Sequence, residues 1–70
     1  MTNIVASMAG SVWKVLVTEG ETVTEGQDVV ILESMKMEIP IAAEKTGVVK
    51  KIHIKEGDFV NDDDVLIDVE

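Results

Sequence analysis

Valine and isoleucine recur at alternate positions along the chain, with polar or charged residues between them. Val15-x-Val17 leads through Glu19-Gly20 to Val23, and Ile52-x-Ile54 leads through Glu56-Gly57 to Val60. A period of two is the pattern of half-buried strands. No long 3.6-residue stripe competes with it. Gly20 and Gly57 are expected to supply the positive φ that a tight turn needs. A second turn is predicted at Thr24-Glu25-Gly26 and again at Asn61-Asp62-Asp63. Asp63 stands where the first turn has Gly26, and aspartate tolerates the left-handed region better than most residues. Two residues, not one, separate Val12 from Val15 and Val49 from Ile52, which predicts a β-bulge at the same place in each segment.

These features repeat because the chain is written twice. Residues 10–33 align without gaps on residues 47–70 at an offset of 37, with seven identities that include Gly10/Gly47, Val12/Val49, Glu19/Glu56, Gly20/Gly57 and Glu33/Glu70. Two copies are too few for a solenoid. They predict one all-β domain over residues 1–70, a small sandwich or flattened barrel of two intertwined halves about a pseudo-twofold axis. With no linker or low-complexity stretch, the chain reads as a bare, free-standing domain.

From the end of the first copy the chain runs through Glu33-Ser34-Met35-Lys36-Met37-Glu38-Ile39-Pro40. The flanks of this stretch are strand-like, so Met35-Lys36 is placed at the tip of a hairpin. Ser34 then faces Met37, Glu33 faces Glu38 and Leu32 faces Ile39. The turn breaks two local rules. Two-residue hairpin turns favour Asn-Gly or Asp-Gly, and like charges face each other across the stem. Taken alone, this stretch would suit a helix, and methionines beside a lysine are more often packing than a site. The repeat forces a hairpin here, and rules broken without structural gain are expected at functional sites. By the twofold, the hairpin corresponds to the chain termini, so Lys36 is expected at the end of the domain remote from them. A lysine amine is ordinarily protonated at neutral pH. Lys36 therefore suits a substrate of an acylating enzyme better than a self-activated nucleophile.

Composition narrows the function. Seventy residues give a thin core and little room for a deep catalytic cleft, which favours a module that binds or is bound over a free-standing enzyme. Fourteen acidic residues against six lysines leave a net charge of −8. That argues against nucleic acid, whose phosphates require clustered positive charge, and suits basic patches on protein partners. The absence of cysteine excludes thiol chemistry and fits a reducing cytoplasm. The start, MTNIVASMAG, does not read as a signal peptide. No apolar run exceeds four residues, against the roughly 20 of a membrane helix.

The ASMAGSV start, the two Glu-Gly turns, Gly26-Gln27, ESMKM and GVVKKIHIKEGDFV together resemble the biotinyl/lipoyl carrier domain family over essentially the whole chain. The resemblance implies two four-stranded antiparallel sheets. It also implies that Lys36 is the attachment point, joined by an amide to the carboxyl of biotin. Met35 and Met37 match the methionines flanking that lysine in biotinyl domains, whereas lipoyl domains usually carry an acidic residue before it and alanine after. Glu33 and Ser34 are closer to lipoyl domains. The family further implies a biotin protein ligase that recognises Glu33, Ser34, Met35, Met37 and Glu38. A biotin carboxylase and a carboxyltransferase would be served in turn by a swinging arm.

Two readings stand beside the biotin carrier. One is a lipoyl carrier for a 2-oxoacid dehydrogenase-type complex, using the same Lys36. The other is an unmodified β-domain adaptor. Asn61-Asp62-Asp63-Asp64 lacks the alternation, glycine and distal glutamate of a calcium loop and reads as a solvated turn, so no metal is expected. His53, which aligns with Leu16, is given no role. Trp13 aligns with Lys50 and is expected to be part-exposed.

Overall fold

The computed structural model describes residues 2–70. Eight strands follow in chain order: β1 (Thr2–Val5), β2 (Gly10–Val15), β3 (Thr22–Val23), β4 (Asp28–Ser34), β5 (Met37–Ala42), β6 (Gly47–Ile52), β7 (Phe59–Val60) and β8 (Val65–Val69). They form two antiparallel four-stranded sheets, ordered β1-β8-β6-β3 and β5-β4-β2-β7. Moving each strand of the second sheet by 37 residues, up or down the chain, generates the first in the same order. The expected twofold is therefore the organising feature of the barrel-sandwich.

The repeat reaches further than residues 10–33 and 47–70. β1 is the counterpart of β5: Ile4 matches Ile41 and Ala6 matches Ala43, all four buried. Val12/Val49, Val23/Val60, Val29/Leu66, Val30/Ile67 and Leu32/Val69 complete seven such pairs. They account for fourteen of the fifteen buried apolar residues among those described, and Val17 is the fifteenth. Among the described residues no polar or charged residue is buried. The inward faces of the strands bury Val, Ile and Leu against the opposite sheet, and the period of two breaks where Val29-Val30 and Leu66-Ile67 are buried side by side at register slips in the β4–β5 and β1–β8 pairings.

Turns and bulges also come in pairs. Gly20 and Gly57 have φ of 90° and 97°, and their N–H groups donate to Val49 O and Val12 O respectively. Gly26, at φ 87°, donates to Ala43 O, while Asp63, at φ 70°, donates to Ala6 O. The pairing register slips between Val12 and Lys14 on β2 and between Val49 and Lys51 on β6. Both predicted bulges are present. Trp13 and Lys50, both exposed, are the extra residues. The Asn61–Asp64 turn is closed within itself, the Asp64 N–H donating to the Asn61 carbonyl at 3.1 Å and the Asp64 carboxylate accepting the Asn61 N–H at 2.8 Å. His53, unassigned by its sequence context, lies 2.9 Å from the Asp68 carboxylate of β8.

Candidate functional site

β4 and β5 form the hairpin that the sequence places at mid-chain. Ser34 pairs with Met37, Glu33 with Glu38, Leu32 with Ile39, Ile31 with Pro40 and Val30 with Ile41. Leu32 and Ile41 are buried and Ile39 is partly buried against the core. The stem is therefore held by its inward face, and only the last pairs project beyond the core. Met35 and Lys36 form the two-residue tip.

The tip backbone is unusual. Met35 has φ 52° and Lys36 has φ 65°, the pair of positive values that a type I′ turn requires. This turn matches the right-handed twist of the strands, so the hairpin adopts it even with two residues that disfavour it. Left-handed geometry costs roughly 1–2 kcal/mol per non-glycine residue, so the tip stores on the order of 2–4 kcal/mol. Holding such geometry requires a surrounding structure that over-determines it, here the register of β4 and β5. What the strain achieves is placement: Lys36 is exposed at the apex, between Met35 at 91% exposure and Met37 at 58%.

The predicted recognition residues gather around it. Glu33 and Glu38 face each other on the outer side of the stem, both exposed, and Ser34 is half-buried beside Met37. Among the described residues the Lys50–Glu70 ion pair and the His53–Asp68 contact both lie on the other sheet, so neither Glu33 nor Glu38 has a basic partner. No ligand-sized cavity is found among the described residues, nor any cluster of three or more His, Cys, Asp or Glu placed to hold a metal. A primary amine on an apex clear of the body suits a group attached by an amide and carried outside the fold.

Two further residues lie at this end of the sheet. Gly10 sits against the stem: a Cβ there would lie 2.8 Å from the Glu33 carbonyl oxygen. Its identity with Gly47 was the available signal. Phe59 pairs with Ser11, and Ser11 with Glu33. This puts an aromatic ring, 67% exposed, in the row of the sheet that also holds Glu33 and Glu38. Nothing in the local sequence of β7 marks it.

Comparison with known proteins shows the family. The family model described as "Biotin-requiring enzyme" matches residues 2–69. The Biotin/lipoyl attachment protein of Bacillus subtilis is 58% identical over 62 residues, 89% of this chain and 85% of that one. The Biotin carboxyl carrier protein of Streptococcus mutans is 48% identical over 91% of this chain, which spans 49% of that protein. The crystal structure of the Kluyveromyces lactis urea carboxylase superimposes with a TM-score of 0.92 at 33% identity, over 99% of this chain and 6% of that enzyme. The chain thus spans most of the length of one relative, about half of another and a small part of a much larger enzyme. With its twofold pair of sheets and its mid-chain lysine hairpin, this chain belongs to the biotin/lipoyl attachment domain family.

Proposed function

We propose that this protein, as a single domain over residues 1–70, is a biotin carboxyl carrier of the cytoplasm, with Lys36 as the point of attachment. One observation carries the reading: an exposed lysine held at the strained apex of a hairpin, flanked by two exposed methionines. The names of the relatives support it, since they include a biotin carboxyl carrier protein and a carboxylase. The chain itself catalyses no step. Biotin, when bound, supplies a ring nitrogen that takes up and releases a carboxyl group.

The residues divide the work. Lys36 Nζ provides the amide nitrogen, and a biotin protein ligase removes its proton. Met35 and Met37 give adaptable apolar contact around the amine. Ser34 sits beside Met37 at the neck of the tip. Glu33 and Glu38 meet basic groups of the ligase. Tethering then raises the effective concentration of the carried group at a biotin carboxylase and at a carboxyltransferase.

Intact mass and peptide mapping test this, after incubation with purified biotin protein ligase, biotin and MgATP. A biotinyl increment on Lys36, absent from Lys36→Arg, is expected. An increment in Lys36→Arg would overturn the site. A second reading keeps the arm and changes the pathway: the Bacillus subtilis relative is named for biotin and lipoyl together. A lipoyl increment on Lys36 with a lipoate ligase, and none with biotin, would favour it. No increment with either would leave an unmodified adaptor.

A further inference from the structure

The twofold is an internal control. What the fold needs at one position it needs again 37 residues away. A feature present in one copy alone answers to something else. The row at the hairpin end runs Glu38, Glu33, Ser11, Phe59 across β5, β4, β2 and β7. Its counterpart in the other sheet holds Glu70, Val48 and Thr22. Two differences stand out. Glu70 is neutralised by Lys50 at 3.2 Å, whereas Lys50's counterpart is Trp13 and Glu33 has no basic partner. Thr22, in the same backbone setting as Phe59, shows that β7 needs no aromatic there. Trp13 and Phe59 are the only aromatic residues in the chain. Both are exposed, and both lie in the sheet that carries Lys36.

Phe59 lies two strands from Glu33, roughly 10 Å at the usual strand spacing, and contributes nothing to the buried core. An exposed aromatic ring in one row with carboxylates that lack basic partners is the composition of an interface anchor and its charged surround. Charge argues against a second copy as occupant. The chain carries −8, and pairing this face with itself would set Glu33 and Glu38 against like charge. The enzymes that would use the finished arm meet it beyond the apex. The ligase alone must reach Nζ itself, and so must come down against the stem.

We propose that Phe59 is an apolar anchor for the ligase that acylates Lys36, seated in a pocket of that enzyme whose rim presents basic side chains to Glu33 and Glu38. This rests on the carrier reading. It extends the recognition surface from the hairpin to an edge strand that is remote from it in sequence.

The test is steady-state biotinylation of the full chain by purified biotin protein ligase, comparing wild type with Phe59→Thr, the residue its counterpart carries. The KM for the carrier should rise roughly tenfold, the loss expected of a buried aromatic anchor, with kcat unchanged. Phe59→Leu should restore much of it, and Thr22→Phe, at the opposite end, should change nothing. Thermal melts confirm that each variant is folded. A KM for Phe59→Thr within twofold of wild type overturns the proposal while leaving the carrier reading intact. So does a dimer of the wild type, seen by sedimentation, that Phe59→Thr abolishes without change in KM. So does a loss confined to turnover by a biotin carboxylase. Absence of biotin on wild-type Lys36 overturns the carrier reading and this inference together.

Discussion

Glu19 accepts the Ile52 N–H at 3.0 Å across the boundary between the two halves, and Glu56 returns the contact to the Val15 N–H at 3.3 Å. Val15 and Ile52 end β2 and β6 just past the bulges, still paired with Val30 and Ile67 on one side but beyond the short strands β7 and β3 on the other, which pair only with Gly10-Ser11 and Gly47-Val48. Each carboxylate therefore ties its own Glu-Gly turn to the strand of the opposite copy. This explains why Glu19 and Glu56 are identical when Thr18 and Lys55 beside them are not.

Glu19→Ala should lower stability by about 1 kcal/mol, the net value of one such bond, or on the order of 4–8 °C in Tm for a domain this small. Glu56→Ala should do the same, and the double variant should sum the two because they share no partner. Thermal unfolding by circular dichroism measures all three. A Glu19→Ala melt coincident with wild type would mean that the contact contributes nothing.

The tip predicts an opposition between stability and function. Replacing Met35-Lys36 with Asn-Gly installs the residues that a type I′ turn favours and should raise stability by about 1–2 kcal/mol by removing left-handed strain. It also removes the amine and one methionine, so no acylation follows. The intermediate Met35→Asn keeps Lys36. It should be more stable than wild type and a poorer ligase substrate. Chemical denaturation paired with a biotin incorporation assay separates the effects. A Met35→Asn variant no more stable than wild type would show that the tip stores no strain.

Glu33 and Glu38 make a related case. Like charges directly opposed across a strand pair are destabilising by roughly 0.2–1 kcal/mol. Glu38→Lys turns repulsion into attraction, so the variant should melt higher, most clearly at low ionic strength. If the pair serves a basic partner, the same change should weaken acylation of Lys36. Raised stability with undiminished acylation would assign the two glutamates no part in recognition.

The architecture was legible because the hydrophobic pattern was written twice. Each bulge, turn and strand predicted from one copy had a second witness, and Asp63 could be trusted as a turn residue because Gly26 held its place. The place of Lys36 at the hairpin apex was legible from the repeat, and it stood out as a candidate because Met35-Lys36 satisfies none of the preferences of the turn it occupies. Phe59 was not legible. A phenylalanine in an alternating strand reads as core until the register shows which face it takes. The pairing of β1 with β8 was missed for a related reason: Thr2–Val5 and Ile39–Ala42 share too few identities to extend the repeat unaided. The carboxylate contacts of Glu19 and Glu56 depend on how the two halves cross, which no local pattern carries.

Gly10 and Gly47 test whether the hairpin stem can be disturbed without touching it. A Cβ on Gly10 would meet the Glu33 carbonyl oxygen at 2.8 Å, and one on Gly47 would meet Val69 Cγ1 at 2.6 Å and the Glu70 carbonyl oxygen at 2.7 Å. Backbone cannot swing aside as a flexible side chain can, so both alanine variants should lose about 1–3 kcal/mol through overpacking. Their consequences for Lys36 should differ. Gly10→Ala pushes on β4 three residues before the lysine, whereas Gly47→Ala pushes on the counterpart end of β8, in the other sheet. At a temperature where melts show both variants fully folded, kcat/KM for biotinylation should fall for Gly10→Ala and hold for Gly47→Ala. An equal fall in both would trace the loss to general destabilisation, and the close approach of Gly10 to Glu33 would then have no special part in positioning the tip.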